Sequence, residues 1–142
     1  MPSVFTHIIN GDLPGRFVWK DGTAVGFMTI EPVTAGHVLV VPRKEIDHWE
    51  QIDTATFAHV SDVAQKIGRA VKAAYDAPRM GLLIAGLEVP HLHLHVFPAH
   101  TLESFDLSKA DRNASAESLD EAADKVRTGL RELGYGEYVP EG

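Results

Sequence analysis

The chain contains no cysteine. That excludes disulfides, thiolate metal ligands and cysteine nucleophiles, and it agrees with a reducing compartment, so a cytoplasmic location is expected. No apolar run approaches the roughly 18 residues that a membrane-crossing helix needs. The opening Met1-Pro2-Ser3-Val4-Phe5 lacks the basic start and long apolar stretch of a secretory signal. Positive charge is in deficit, with 13 Lys and Arg against 20 Asp and Glu and a net charge of −7. A field of that sign disfavours nucleic acids and anionic membranes as partners. A small phosphate ligand could still be held locally by backbone amides and imidazoles.

Repeats and low-complexity tracts are missing too, so residues 1–142 are expected to form one domain. Ser3 is placed to cap a short helix in which Val4, Phe5, Ile8 and Ile9 share a face. Strands are predicted at 16–19 and 24–29, joined by an Asp21-Gly22 turn. His37 to Val41 is a β-prone run stopped by Pro42. Asp53 or Thr54 caps a long helix marked by Val60, Val63, Ala64, Ile67, Val71 and Tyr75, with Pro78 ending it. Strands at 81–86 and 91–97 follow, then a polar stretch and a last helix over about 115–133. Consecutive strands with short turns argue an antiparallel sheet with helices packed on it, an α+β fold.

Four of the eight histidines carry a pattern. His91, His93 and His95 alternate with Leu92, Leu94 and Val96. On a strand all three imidazoles would share one face, with neighbours roughly 6.5–7 Å apart. Three readings are open. A neutral imidazole can attack phosphorus while its neighbours donate to oxygens and assist the leaving group. His-x-His on a strand is also a zinc arrangement, although no carboxylate lies inside the segment. A polar sheet face without chemistry is the third.

The segment His91-x-His93-x-His95-x-x-Pro98, the run Gly36-His37-Val38-Leu39-Val40-Val41-Pro42 and the opening Val4-Phe5-x-x-Ile8-Ile9 together resemble the histidine-triad family. The resemblance covers about residues 4–98, and its opening is similar to the HINT branch of nucleoside phosphoramidases. It implies an α+β fold of five antiparallel strands, a long central helix and a C-terminal helix, with two sheets joined across a homodimer. It implies hydrolysis or nucleotidyl transfer on purine nucleotides substituted at the α-phosphate, through a covalent intermediate on His93. His95 would bind phosphate oxygen and help the leaving group. The His91 carbonyl would fix the tautomer of His93, and His37 would hydrogen-bond within the triad. No cofactor and no metal take part. The alternatives are a dinucleoside polyphosphate hydrolase and a catalytically weak nucleotide-binding module.

By the same resemblance Phe27 and Ile30 would surround the base, and plain core packing is the competing reading for both. Thr29 stands where the family commonly has a ribose-binding Asp or Asn, and Glu88 lies near the usual Ser or Thr of the loop before the triad. That loop, Ala85-Gly86-Leu87-Glu88-Val89-Pro90, is shorter than the family's. Cys-x-x-Cys, which holds structural zinc in some members, is missing near the start. His7, His48, His59 and His100, with Arg43 and Lys44, are read as surface groups. Trp19 and Trp49 are read as packing residues. The tail after Gly134, with Tyr135 and Tyr138, is read as a frayed end or as an arm reaching a partner's site.

Overall fold

The computed structural model describes residues 1–141. Its elements run α1 (Val4–Ile9), β1 (Phe17–Lys20), β2 (Ala24–Met28), β3 (Val38–Pro42), α2 (Thr54–Tyr75), β4 (Arg79–Leu83), β5 (Leu94–Ala99) and α3 (Ala116–Glu132). The five strands form one antiparallel sheet in the order β1-β2-β3-β5-β4. This is the expected α+β architecture. Among the described residues, no helix is long and apolar enough to cross a membrane.

Alternation along the strands separates two apolar faces. Val38, Val40, Leu94 and Val96 join α2 residues Val60, Val63, Ile67 and Val71 and α3 residues Val126 and Leu130 in the larger core. Leu39, Val41, Val25 and Phe27 point the other way and pack with Phe5 of α1. The helices therefore cover one face, and α1 covers part of the opposite face.

The caps are local and strong. Asp53 accepts from the Thr56 amide at the start of α2, and Ser115 accepts from the Ser118 amide at the start of α3. Helix α2 stops at Tyr75, before Pro78 acts. Asp76 takes the left-handed conformation, and the Ala77 amide returns to the Lys72 carbonyl.

Three boundaries differ from expectation. The strand read at 81–86 lies at Arg79–Leu83. The strand read at 91–97 begins only at Leu94. The Leu92 amide donates to the Ile46 carbonyl and the His91 amide to the Val89 carbonyl, so this stretch leaves the β3 ladder. The run read from His37 forms a strand only from Val38, with Pro42 closing it as expected, and Pro98 lies within β5. Position 98 is permissive because β3 begins at Val38, opposite Val96, and so does not reach it.

The tail is not frayed. Tyr138 stacks on Trp19 with ring centroids 4.7 Å apart, and Val139 is buried. Trp19 itself is buried, and its indole N–H donates to Asp21. Trp49, by contrast, stays half exposed. Arg127, which composition alone would leave in solvent, is buried and donates through Nε to the Phe17 carbonyl, tying α3 to β1.

Gly36 sets the entry to β3. Its φ is +93°, and a Cβ there would stand 2.7 Å from a ring carbon of Tyr75. Both the backbone conformation and the space demand glycine. Gly36→Ala should cost about 1–3 kcal/mol of stability, measured by urea unfolding; wild-type stability would contradict this account of the turn.

Candidate functional site

Strand register builds one wall of the site. Phe27 pairs with Leu39, and Leu39 pairs with His95. These three side chains form a row across β2, β3 and β5 on the face away from α2 and α3. Beside this row opens a cavity of about 760 Å³. His37, His93 and His95 line it, as do Phe27, Thr29, Ile30 and Glu88.

The three imidazoles share the face away from α2 and α3. Phe5 packs edge-on against the rings of both His91 and His93, and His93 packs against His95, while Leu92, Leu94 and Val96 enter the larger core. His93 and His95 line the cavity, and His91 lies buried beside it. Only His95 lies within a strand. The His91 ring is fully buried, with Nε2 2.8 Å from the Pro42 carbonyl and Nδ1 2.7 Å from the Ser3 hydroxyl. The ladder starts only at Leu94, yet the alternation of faces continues back to His91. His91 meets the site only through its backbone. Its carbonyl lies 2.7 Å from His93 Nδ1.

The hydrogen-bond order assigns the tautomers. A carbonyl only accepts, so His93 Nδ1 carries the proton. Its Nε2 lone pair is then available to the cavity. The Phe5 ring stands edge-on to His93 at 4.9 Å and restricts its tilt. His37 Nδ1 accepts from the Val33 amide at 3.1 Å, so His37 donates through Nε2. The acceptor is His95 Nδ1, 2.9 Å away. His95 must then carry its proton on Nε2. That atom is buried and has no partner among the described residues. An orphaned buried donor costs about 1–3 kcal/mol, which an anionic oxygen would offset.

Electrostatics hold all four rings neutral near pH 7. Burial, with His95 and His93 close by, pushes His37 down to about 3. Burial and His93 push His95 down to about 4. Burial also lowers His91, against the Pro42 hydrogen bond and Glu45. For His93 burial again dominates, opposed by the His91 carbonyl and the Glu88 carboxylate. A neutral His93 keeps its lone pair and is a competent nucleophile.

The remaining walls come from residues that sequence reasoning did not single out for the site. Val4, Phe5, Ile8 and Leu13 supply apolar surface. Leu107, Ala110 and Arg112 come from the stretch read only as polar. That stretch is strapped down by the Asp111 amide on the Pro32 carbonyl and by an Arg112–Glu31 ion pair. Thr29 Oγ1 accepts the Glu31 amide. Ile30 is 67% exposed at the mouth, whereas Phe27 is buried. Core packing thus describes Phe27 as well as cavity lining does, and it does not describe Ile30.

The other histidines stay outside the cavity. His59 Nε2 lies 2.7 Å from the Asp21 carboxylate, and His7 pairs with Asp12. Arg43 donates to the Asp21 carbonyl and Lys44 pairs with Asp53. Among the described residues, no cluster of three or more His, Cys, Asp or Glu side chains is arranged to hold a metal.

The lowered imidazole values set a stability profile. Each buried ring binds its proton less well folded than unfolded. The stability it contributes is complete above about pH 6.5 and is lost as pH falls toward about 4 for His95 and about 3 for His37. The melting temperature should therefore drop between pH 6.5 and 5, above the carboxylate range, and drop less in His37→Asn. A flat wild-type profile over that interval would contradict neutral, buried rings.

Comparison with known proteins places this geometry. A HIT domain family model matches residues 10–102, a span that includes His37, His91, His93 and His95. An uncharacterized HIT-like protein of Mycobacterium tuberculosis is 31% identical over 134 residues, covering 86% of this chain and 93% of its own. A hypothetical histidine triad nucleotide-binding protein of Sulfolobus tokodaii has a solved structure similar to this one. Its TM-score is 0.80 at 26% identity, with 96% of this chain and 98% of that one covered. An adenosine 5'-monophosphoramidase of Schizosaccharomyces pombe is 25% identical over 99 residues, 69% of this chain and 74% of its own. The matched span carries all four site histidines, and the solved structure shares the fold across nearly the whole chain: this protein belongs to the HIT family.

Proposed function

We propose that this protein hydrolyses purine nucleotides substituted at the α-phosphate, phosphoramidates and acyl-adenylates above all, through a nucleotidyl intermediate on His93. One observation carries the reading. The Nε2 lone pair of His93 and the orphaned Nε2–H of His95 both belong to rings that line one cavity. A nucleophile and an oxyanion donor are thus both present. His93 Nε2 bonds to phosphorus as the phosphorus–nitrogen bond to the leaving group breaks, and the amine departs with the proton its nitrogen has taken up from solvent. The imidazole becomes cationic, and its Nδ1–H tightens on the His91 carbonyl. Water then cleaves the phosphorus–nitrogen bond and releases the nucleoside monophosphate. The phosphoramidase named in Schizosaccharomyces pombe supports the choice of substrate.

Glu88 supports an amine leaving group. It lines the cavity mouth, and its charge favours positive charge at His93. It would repel the additional phosphates of a dinucleoside polyphosphate and welcome a departing ammonium.

We also infer a homodimer formed along β4. This strand is an edge of the sheet, and Leu82 on it is 59% exposed. An exposed apolar edge strand invites pairing. Sedimentation velocity should give twice the monomer mass, and a monomer at micromolar concentration would refute the dimer.

The chemistry is tested with a fluorogenic adenosine phosphoramidate and intact-mass spectrometry. Wild type should turn over and show a nucleotidyl mass increment. His93→Ala should lose both, with turnover down by about 10⁴-fold or more, and still bind AMP. Tight AMP binding without adduct or turnover in wild type would replace the enzyme reading with a binding module. Glu88→Ser should shift the ratio of rates toward dinucleoside polyphosphates, and an unchanged ratio would remove Glu88 from leaving-group selection.

A further inference from the structure

We propose that Ser3 is a positioning residue for His93, acting through His91. The proposal rests on the reading of His93 as nucleophile and adds a group that touches no substrate.

Ser3 is buried, and its hydroxyl makes three contacts, the weakest a 3.4 Å approach to the Thr6 hydroxyl, too long to compete with the 2.7 Å contact to His91. It accepts the Thr6 amide at 3.1 Å as the cap of α1. Its proton points the other way, to His91 Nδ1 at 2.7 Å. The direction is fixed, because His91 Nε2 already donates to the Pro42 carbonyl and a neutral ring has one proton. With both nitrogens engaged, the His91 ring has one orientation and one tautomer. The backbone of the same residue presents the carbonyl that holds His93 Nδ1.

Glu45 anchors the hydroxyl from behind. Its carboxylate accepts the Ser3 amide at 2.7 Å and the Thr6 hydroxyl at 2.6 Å. Those hydrogen bonds hold its carboxyl at about 2, so the anchor is ionised at every working pH. Glu45 Oε1 also lies 4.0 Å from His91 Nδ1. The Ser3 hydroxyl is the neutral contact that keeps His91 from taking a second proton toward that carboxylate. The chain of contacts runs from Glu45 through Ser3 and His91 to His93, across 90 residues of sequence.

Without the hydroxyl, the buried His91 Nδ1 has no donor. The ring then relaxes toward Glu45, and the carbonyl that selects the His93 tautomer moves with it. His93 would populate the Nε2–H form, in which the nucleophilic lone pair points away from the cavity.

Three substitutions separate this role from capping. Ser3→Thr keeps cap and donor. Ser3→Gly keeps most of the capping propensity but has no donor. Ser3→Ala has neither. With adenosine phosphoramidate, Ser3→Gly and Ser3→Ala should both lose about 10- to 100-fold in kcat with KM unchanged, and Ser3→Thr should restore turnover. Imidazole ¹⁵N NMR should show His93 purely Nδ1–H in wild type and Ser3→Thr, and mixed in Ser3→Gly. Wild-type kcat in Ser3→Gly, or a kcat loss with the His93 tautomer unchanged, would overturn the positioning role. If wild type turned over no substrate, the NMR comparison would still decide the positioning role, while the reaction proposed above would fail separately.

Discussion

The hydrogen bond from His93 Nδ1 to the His91 carbonyl, 2.7 Å long, decides which nitrogen of His93 meets the cavity. It depends on a carbonyl that no strand neighbour uses. Had β5 started at His91, that oxygen would belong to a backbone ladder. Instead the strand begins at Leu94. The chain before it is held by the Ile46 carbonyl, the Pro42 carbonyl and Ser3. The irregular entry to β5 is thus the feature that lets backbone geometry select a tautomer.

A second constraint acts through β3. Gly36 turns the chain so that His37 stands at its start, and Val33 fixes the direction of the His37–His95 hydrogen bond. The tautomer of His95 is therefore set 62 residues away in sequence, by one backbone amide at position 33. Both catalytic candidates are oriented by main-chain groups, not by carboxylates. Such groups do not titrate, so the orientation holds across the range in which the rings stay neutral.

The sheet, the long helix and the last helix were legible because their periodicities are strong. Leu39 and Val41 against Val38 and Val40 show both faces of one strand in four residues. The site histidines were legible as a motif and in their shared face, but their hydrogen-bond partners were not. Strand alternation predicts the shared face correctly but not the burial of the His91 ring, whose partners Pro42 and Ser3 lie far upstream. Ser3 was readable as a cap, since capping is local. Its bond to His91 spans 88 residues, and no spacing rule reaches that far. The strap at 101–113 carries polar composition without periodicity, so nothing in it signalled a cavity wall. Tyr138 was unreadable for a related reason: its partner, Trp19, is on the first strand.

The charge pattern of the cavity bears on what it accepts. Its three imidazoles, His37, His93 and His95, are neutral, and its two arginines are already matched, Arg16 with Asp120 and Arg112 with Glu31. Glu88 adds an acid. An incoming phosphate meets oriented N–H dipoles, with no surplus cation beyond those pairs. Dipoles suffice for a single α-phosphate whose charge is shared over two oxygens. They serve a polyphosphate chain poorly, because each further phosphate brings charge that nothing in the cavity balances. In a chain carrying −7 overall, the long-range field opposes the same ligands. For the proposed reaction, local and global electrostatics argue alike for a nucleoside monophosphoryl group carrying a neutral or cationic leaving group, an amine over a second nucleotide.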